Sequence, residues 1–351
     1  EENGNDYPFG LVRWTEKRNF EAILNAISNN LLKVDQLISH RFSINHASRA
    51  YKLLTSGVNP FGIVLTYQDN VNYEKKELIL NNKNYRKVNH KRVNPLVSVV
   101  GVGNFSSRVL IPAFIKAGAN FHTISARTGI APTFFGKKYN FLKASTSIDE
   151  VIEDNVTNTI LIATNHDSHA KLIVQSLNAG KHVYVEKPLC LSMNELESIK
   201  LAYSSKNILM VGFNRRFAPF IIKLKEKLNY IKAPKSFIYT CNAGQIDEDS
   251  WIHDPRIGGG RLLGEACHFV DLLRYLADSP IKNLEINSMI DSKPCPDVFS
   301  ISLQFNDGSI GTINYFSNGS RSFPKERLEV FSSGKVFQID NYRKMKIWGM
   351  P

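Results

Sequence analysis

Apolar positions along this chain change their spacing three times, and each change predicts a different kind of element. The runs NFEAILNAISNNLLKVDQLI and INHASRAYKLLTSG place apolar side chains three and four apart, the spacing of amphipathic helices. Gly57 stands where the second run would end, and GIVLTY follows as a short strand. Residues 68–95 are polar and read as a linker. From Leu96, continuous apolar runs alternate with helical patterns. LVSVVGVG, NTILIAT, HVYVEKPL and NILMVGF read as strands buried on both faces, and RVLIPAFIKAGA and SHAKLIVQSLNAGK as helices. Ser192, Met193, Asn194 and Glu195 form a capping-box pattern opening the next helix. Such alternation predicts a doubly wound parallel sheet with helices on both faces. After about residue 214 the pattern becomes SFIYTCNAG, NLEINSMI, FSISLQFNDGSIGTINYF and RLEVFSSGKVFQID, strands with antiparallel turn signals such as Asn306-Asp307-Gly308. One helix, GEACHFVDLLRYLAD, interrupts them. The chain is therefore expected to be α/β: segments 1–67, 68–95 and 96–214, then an α+β domain, 215–351, with a mostly antiparallel open sheet.

Composition adds exclusions. The 351 residues, 43% hydrophobic, suffice for two cores. No run of about 18 apolar residues is present, so no membrane span is expected, and no secretory leader pattern is visible. Cys190, Cys241, Cys267 and Cys295 lie far apart and make neither a metal-type pair nor a disulfide framework, which fits reduced thiols in the cytoplasm. The net charge of +12 is spread out, and part of it lies in segment 68–95, so a solvated surface is favoured over a nucleic-acid groove.

Three places carry candidate chemistry. In VVGVGNFSSR, Gly101 and Gly103 follow a strand and open a helix, with Asn104, Phe105 and Ser106 next. One glycine makes a tight turn, the second lets a pyrophosphate approach the backbone, and the helix N-terminus offers free N–H groups. Ser106 replaces the third glycine of the usual fingerprint. The following strand, FHTISARTG, ends in Ser125 and Arg127 and has no carboxylate for a ribose. Arg127 is either a surface arginine or a partner for a 2′-phosphate, so the cofactor is NAD(H) or NADP(H), with a lean to NADP(H). Thr164 and Asn165 end another parallel strand, where ligands of open sheets bind. His166, Asp167 and His169 lack a third metal ligand at sensible spacing, and no metal is expected; His169 is expected to cap or pack the following helix and is counted with Thr164 and Asn165 among the cofactor-binding candidates. In YVEKPL, the charged pair Glu186–Lys187 ends a strand on the same sheet edge. It is either a solvated strand end or a lysine poised to steady charge on a substrate oxygen, with Glu186 tuning it. Pro188 fixes the turn, with a cis bond as an option. In GGGRLLGEACHFVDLL, Glu265, His268 and Asp271 share a broad helical face at 100° per residue. One of these carboxylates is expected to orient His268, which is either a core histidine or a general base. Arg215, Arg216 and Arg261 either bind an acidic substrate group or make salt bridges, and Asp271 is counted with them among the substrate-binding candidates.

Together GVGNFS, IATNHDSHA, GKHVYVEKPL, GFNRRFAP and GGGRLLGEACHFVD resemble, in order and spacing, the glucose–fructose oxidoreductase/inositol dehydrogenase (Gfo/Idh/MocA) family from about Leu96 onward. The resemblance implies a Rossmann domain, an α/β domain whose open sheet forms a homo-oligomer interface, NAD(P) chemistry on sugar hydroxyls, Lys187 as the catalytic lysine and His268 as the acid/base. Many members carry Asp four residues before that histidine; here Gly264 stands there and Glu265 is the expected substitute. The chain also stops before the usual C-terminal helix and strand. RWTEKRNFEAILNAI, LISHRFSINHASRAYKLL and GIVLTY resemble the end of a zinc-type medium-chain alcohol dehydrogenase, which implies a structural remnant without zinc chemistry. The pair resembles bi-domain oxidoreductases of bacterial surface-polysaccharide clusters. The expected function is an oxidoreductase moving a hydride to or from a hydroxyl-bearing sugar carbon, with a nucleotide-sugar or related polysaccharide precursor as the expected substrate. The alternatives are a nucleotide-binding scaffold and an NAD-dependent eliminating glycosidase.

Overall fold

The computed structural model describes residues 6–67, 76–81, 95–247, 249–289 and 295–349. The chain divides into two compact units, Glu1–Lys75 and Lys76–Pro351. In the first, helix α1 (Glu16–Ser28) is capped by Thr15, whose hydroxyl accepts from the Arg18 amide at 3.3 Å. The long helical pattern read from the sequence breaks there. Asn29 is the last cap residue and Asn30 takes a left-handed φ of 55°, a common helix stop. The remainder forms a strand, β1 (Ile38–Ser43), that the pattern had hidden. After α2 (Ala47–Leu54), β2 (Gly62–Thr66) pairs in parallel with β1.

The second unit opens with β3 (Glu77–Ile79), which lies inside the stretch read as a linker. The rest of its first layer follows as β4 (Leu96–Val100), α3 (Ile111–Lys116), β5 (Asn120–Ser125), α4 (Ile130–Lys138), β6 (Lys143–Ser145), α5 (Ile148–Glu153), β7 (Thr159–Ile162), α6 (His169–Asn178), β8 (His182–Val185), α7 (Met193–Ala202) and β9 (Leu209–Val211). The strand order is β3-β6-β5-β4-β7-β8-β9. All neighbours pair in parallel except β3, which runs antiparallel to β6 at the edge. Connections leave β4 toward opposite sides of the sheet, so a crevice opens beyond its carboxyl end. Val97, Val99, Val100, Ile160, Leu161 and Ile162 are fully buried, as a sheet covered on both faces requires. The Ser192 capping box is present, with both of its reciprocal bonds.

Helix α8 (Pro219–Leu228) leads into the second layer, built on β10 (Ser236–Asn242), α9 (Cys267–Ala277), β11 (Ile281–Ser288), β12 (Phe299–Phe305), β13 (Ile310–Phe316), β14 (Glu326–Ser332), β15 (Lys335–Asp340) and β16 (Lys344–Trp348). The sheet order is β11-β12-β13-β10-β14-β15-β16, antiparallel except where β10 meets β13. Gly308, at φ 85°, makes the hairpin turn after Phe305. Phe269, Leu272, Leu273 and Leu276 on α9 pack onto Phe237, Tyr239, Ile313 and Val330 of this sheet. At roughly 1.5–3 kcal/mol for each buried apolar side chain, this contact anchors α9 and the histidine it carries.

Two of the helices that border the crevice begin with a π turn. Ser106–Leu110 runs into α3, and Leu262–Ala266 runs into α9. Such turns widen the backbone and recur at functional sites. No helix among the described residues is long and apolar enough to cross a membrane.

Candidate active site

A cavity of about 1000 Å³ lies at the carboxyl ends of β4, β5, β7 and β8. Gly101, Gly103, Asn104, Phe105 and Ser106 form one wall. Gly101 has φ 100°, and a β-carbon there would come within 2.3 Å of the Ala163 carbonyl oxygen, so only glycine fits. A β-carbon on Gly103 would meet nothing within 4 Å; protein leaves that space open. Ser106 is buried and its hydroxyl has no hydrogen-bond partner among the described residues. An open glycine wall beside an unsatisfied buried hydroxyl fits the pyrophosphate of a dinucleotide. Arg127, Thr164, Asn165, Glu186, Lys187 and His268 also line the cavity.

Lys187 follows β8 in a cis Lys187–Pro188 turn. Its Nζ donates to the carbonyl oxygen of Gly264 at 2.5 Å. Glu186 accepts from the Tyr184 hydroxyl at 3.1 Å. Burial holds the Glu186 carboxyl above its ordinary range, against the pull of Tyr184 and Lys187. His268 is 6% exposed, with Phe213 edge-on at 6.1 Å between ring centres. Burial, then the cations of Arg215 and Lys187, push its pKa down to about 2. The ring is therefore neutral, and its buried Nδ1 has no hydrogen-bond partner among the described residues.

Several expected site residues stand elsewhere. Ser125 is fully buried, and its hydroxyl donates to the Val99 carbonyl at 3.3 Å rather than facing the cavity. His169 also lies behind the wall. Its Nδ1 is 2.7 Å from the Pro188 oxygen and its Nε2 3.2 Å from the Thr164 oxygen, so it ties together the loops after β7 and β8. Neither flanking carboxylate touches His268. Glu265 pairs with Arg261 at 3.2 Å and accepts from the Tyr315 hydroxyl at 2.7 Å. Asp271 receives both Nε and Nη2 of Arg216, the former at 2.9 Å. For Glu265 the reason is the π turn over Leu262–Ala266, which departs from the assumed 100° per residue; Asp271 shares the regular helix α9 with His268 but is drawn to Arg216. The three arginines are likewise spoken for: Arg215 grips Glu326 with two bonds of 2.8 Å, and Arg261, 2% exposed, also donates to the Gly244 carbonyl at 2.7 Å. None of the three lines the cavity.

Sequence reading also missed wall residues. His166, Trp251, Asn214, Lys171 and Asp149 belong to the lining. The His166 Nδ1 lies 2.7 Å from the Gly258 carbonyl oxygen, and Trp251 stands edge-on to its ring at 4.8 Å. Burial first, then Lys187, lowers its pKa to about 4, against the raising effect of the Gly258 bond. Only its place beside Asn165 at a strand end could have signalled it.

Comparison with known proteins agrees with this geometry. Residues 96–213 match the oxidoreductase family with an NAD-binding Rossmann fold, and residues 235–337 match the GFO/IDH/MocA C-terminal domain. The myo-inositol 2-dehydrogenase of Thermotoga maritima is 28% identical over 221 residues, 60% of this chain and 65% of that protein. The levoglucosan dehydrogenase of Pseudarthrobacter phenanthrenivorans is 26% identical over 167 residues, 45% of this chain and 43% of that one. The chain thus spans less than two thirds of the length of either relative. An oxidoreductase domain protein from Kribbella flavida shares the fold, with a TM-score of 0.65, 20% identity, and coverage of 73% of this chain and 77% of that one. The two matched domains follow one another in the family's order and together make up more than half of the sequence: the chain belongs to the Gfo/Idh/MocA oxidoreductase family.

Proposed function

We propose that this chain is a nicotinamide-dependent oxidoreductase acting on a secondary hydroxyl of a cyclic polyol or sugar. The observation that carries this is the meeting, in one cavity, of the Gly101–Ser106 wall with Lys187 and His268. A bound nicotinamide would supply the hydride acceptor or donor. Gly101, Gly103 and Ser106 would hold its pyrophosphate, and Thr164, Asn165 and Glu186 lie along the wall toward Lys187. An ammonium has three donors, and the Gly264 carbonyl occupies one. A second can hold the substrate oxygen and stabilise the charge that gathers there as the hydroxyl loses its proton. His268 is neutral, and we assign it to receive that proton as the hydride departs; the burial and cations that keep it neutral also make it a weak base.

The arginines reserved for a diphosphate are engaged with carboxylates, which supports a neutral polyol over a nucleotide-sugar or charged polysaccharide precursor. For the cofactor, Arg127 on the cavity wall and the absence of a carboxylate at the end of β5 support use of NADP(H) beside NAD(H). A second copy of the chain is the further partner we infer. Ile238, Ile310 and Phe331, which are 39–54% exposed, fall on one face of the C-terminal sheet by their strand register. Sedimentation velocity would reveal a dimer or larger assembly; a monomer at every concentration refutes it. We read residues 1–67 as a structural segment; stoichiometric zinc in the purified chain would contradict that.

The experiment on function is an initial-rate screen of NAD+ and NADP+ reduction with myo-inositol, scyllo-inositol, levoglucosan and glucose. Polyol-dependent formation of reduced nucleotide is expected. Its absence with every substrate, in folded protein that binds the nucleotide, counts against a dehydrogenase.

A further inference from the structure

His166 and Lys187 flank the same residue. Lys187 Nζ holds the Gly264 carbonyl, while a β-carbon built on Gly264 would lie 3.1 Å from Cε1 of His166 and 3.7 Å from its Nδ1. The imidazole thus occupies the room that a side chain at position 264 would need. The Gly258 carbonyl can only accept, so the Nδ1 beside it must carry the hydrogen. Neutral imidazole has one N–H, and Nε2 is then left with a free lone pair. No described residue hydrogen-bonds to Nε2. Nδ1 and Cε1 are turned to backbone at Gly258 and to Gly264, and the ring lines the cavity, so Nε2 is the polar atom His166 has to offer a ligand there.

We infer that His166 is a substrate-positioning and specificity residue whose Nε2 accepts a hydrogen bond from a second hydroxyl of the polyol, the one next to the reacting carbon. This rests on the oxidoreductase reading and adds to it a substrate class, the vicinal diol. Lys187 and His268 hold the reacting oxygen. Gly264 lies between them, met by Lys187 at its carbonyl and by His166 on its side-chain side, which sets the two groups side by side on one wall, as contacts to adjacent hydroxyls require. A carboxylate at position 264 would have put a negative charge beside Lys187; glycine there leaves the ammonium's charge to the substrate and gives the second contact to a neutral acceptor. Burial keeps the ring in that neutral form at ordinary pH. Such a contact discriminates well, because an analogue lacking the second hydroxyl leaves a buried acceptor unpaired.

The test pairs two variants with one spectroscopic measurement on the unaltered chain. His166→Asn keeps an amide N–H for the Gly258 carbonyl but removes Nε2; His166→Gln restores a polar atom near the position of Nε2. With the polyol turned over best in the screen, His166→Asn is expected to lower kcat/KM about ten- to a hundredfold, chiefly through KM, and to leave the NADH dissociation constant within about twofold. The loss should shrink to about twofold with the deoxy analogue that lacks the neighbouring hydroxyl, and His166→Gln should recover part of it. Imidazole nitrogen NMR of the unaltered chain with NADH should show a protonated Nδ1 and a bare Nε2 for His166, and added myo-inositol or levoglucosan should move the Nε2 resonance. Turnover in the unaltered chain with no loss in His166→Asn, or an Nε2 resonance that neither polyol moves, overturns the role of His166 and leaves the oxidoreductase reading standing. An Nε2 that responds to polyol in a chain that never reduces nucleotide keeps the contact and overturns the dehydrogenase.

Discussion

The carbonyl oxygen of Gly264 accepts a hydrogen bond from Nζ of Lys187 at 2.5 Å, across 77 residues of sequence. That bond joins the end of a parallel strand to the π turn that opens α9, and it places the ammonium on the His268 side of the cavity. It also explains why the site tolerates glycine at position 264, since the backbone does what a side chain there was expected to do. The lysine is held by a neutral dipole and keeps its full charge for a substrate oxygen.

Lys187→Met should therefore lower kcat/KM for the polyol by roughly a thousandfold, the scale for removing one transition-state charge partner. NADH affinity should stay within about threefold. Stopped assays with nicotinamide fluorescence separate the two quantities, and undiminished turnover would refute the role.

Acid should destabilise this protein, and the histidines give the direction. His268, held at about 2, and His166, held at about 4, stay neutral in the folded chain, while unfolded histidines protonate near 6.5. Between those values the unfolded state binds more protons, so stability is complete above about pH 6.5 and falls as pH drops. Each such histidine adds about 1.4 kcal/mol per pH unit to the slope. Urea unfolding at pH 7, 6, 5 and 4 checks it: His268→Asn should flatten the slope by about one histidine, and an unchanged slope would show that His268 is not buried neutral.

Arg215 is a structural cation. Its paired bonds to Glu326, which also accepts from the buried Tyr239 hydroxyl, sit at the edge of the C-terminal core. Arg215→Ala leaves that carboxylate buried without its cation and should cost about 3–5 kcal/mol in urea unfolding. A loss below about 1 kcal/mol would return Arg215 to the list of groups free to meet a ligand.

Arg127 lines the cavity and is exposed, with no acid at the end of its strand. Arg127→Ala should weaken NADPH about tenfold and NADH less than twofold. Equal effects on both nucleotides would remove the case for NADP(H).

What could be read in the sequence follows from the range of the interactions involved. Strands β4 and β7 are buried on both faces and β8 on one, all three announce themselves as apolar runs, and the Ser192 cap is written within four residues. Gly101 was legible because a tight turn forces its residue type. Short β6 and its flanking helices carry too few periodic positions to stand out, and β1 is masked by the helical spacing of the residues around it. The roles of the arginines could not be read locally, since the partners of Arg215 and Arg216 lie 111 and 55 residues away. His166 escaped for the same reason: the Gly258 carbonyl that fixes its tautomer is 92 residues on.

The most direct test of the account is a titration of the purified, folded chain with NADH, followed by nicotinamide fluorescence. Saturable binding, weakened when Gly103 is replaced by a bulky residue such as Val, is the expected result, because a β-carbon at that position points into space the protein leaves open. A chain that folds and yet shows no change in fluorescence at millimolar NADH would contradict the assignment of this cavity to a nicotinamide dinucleotide.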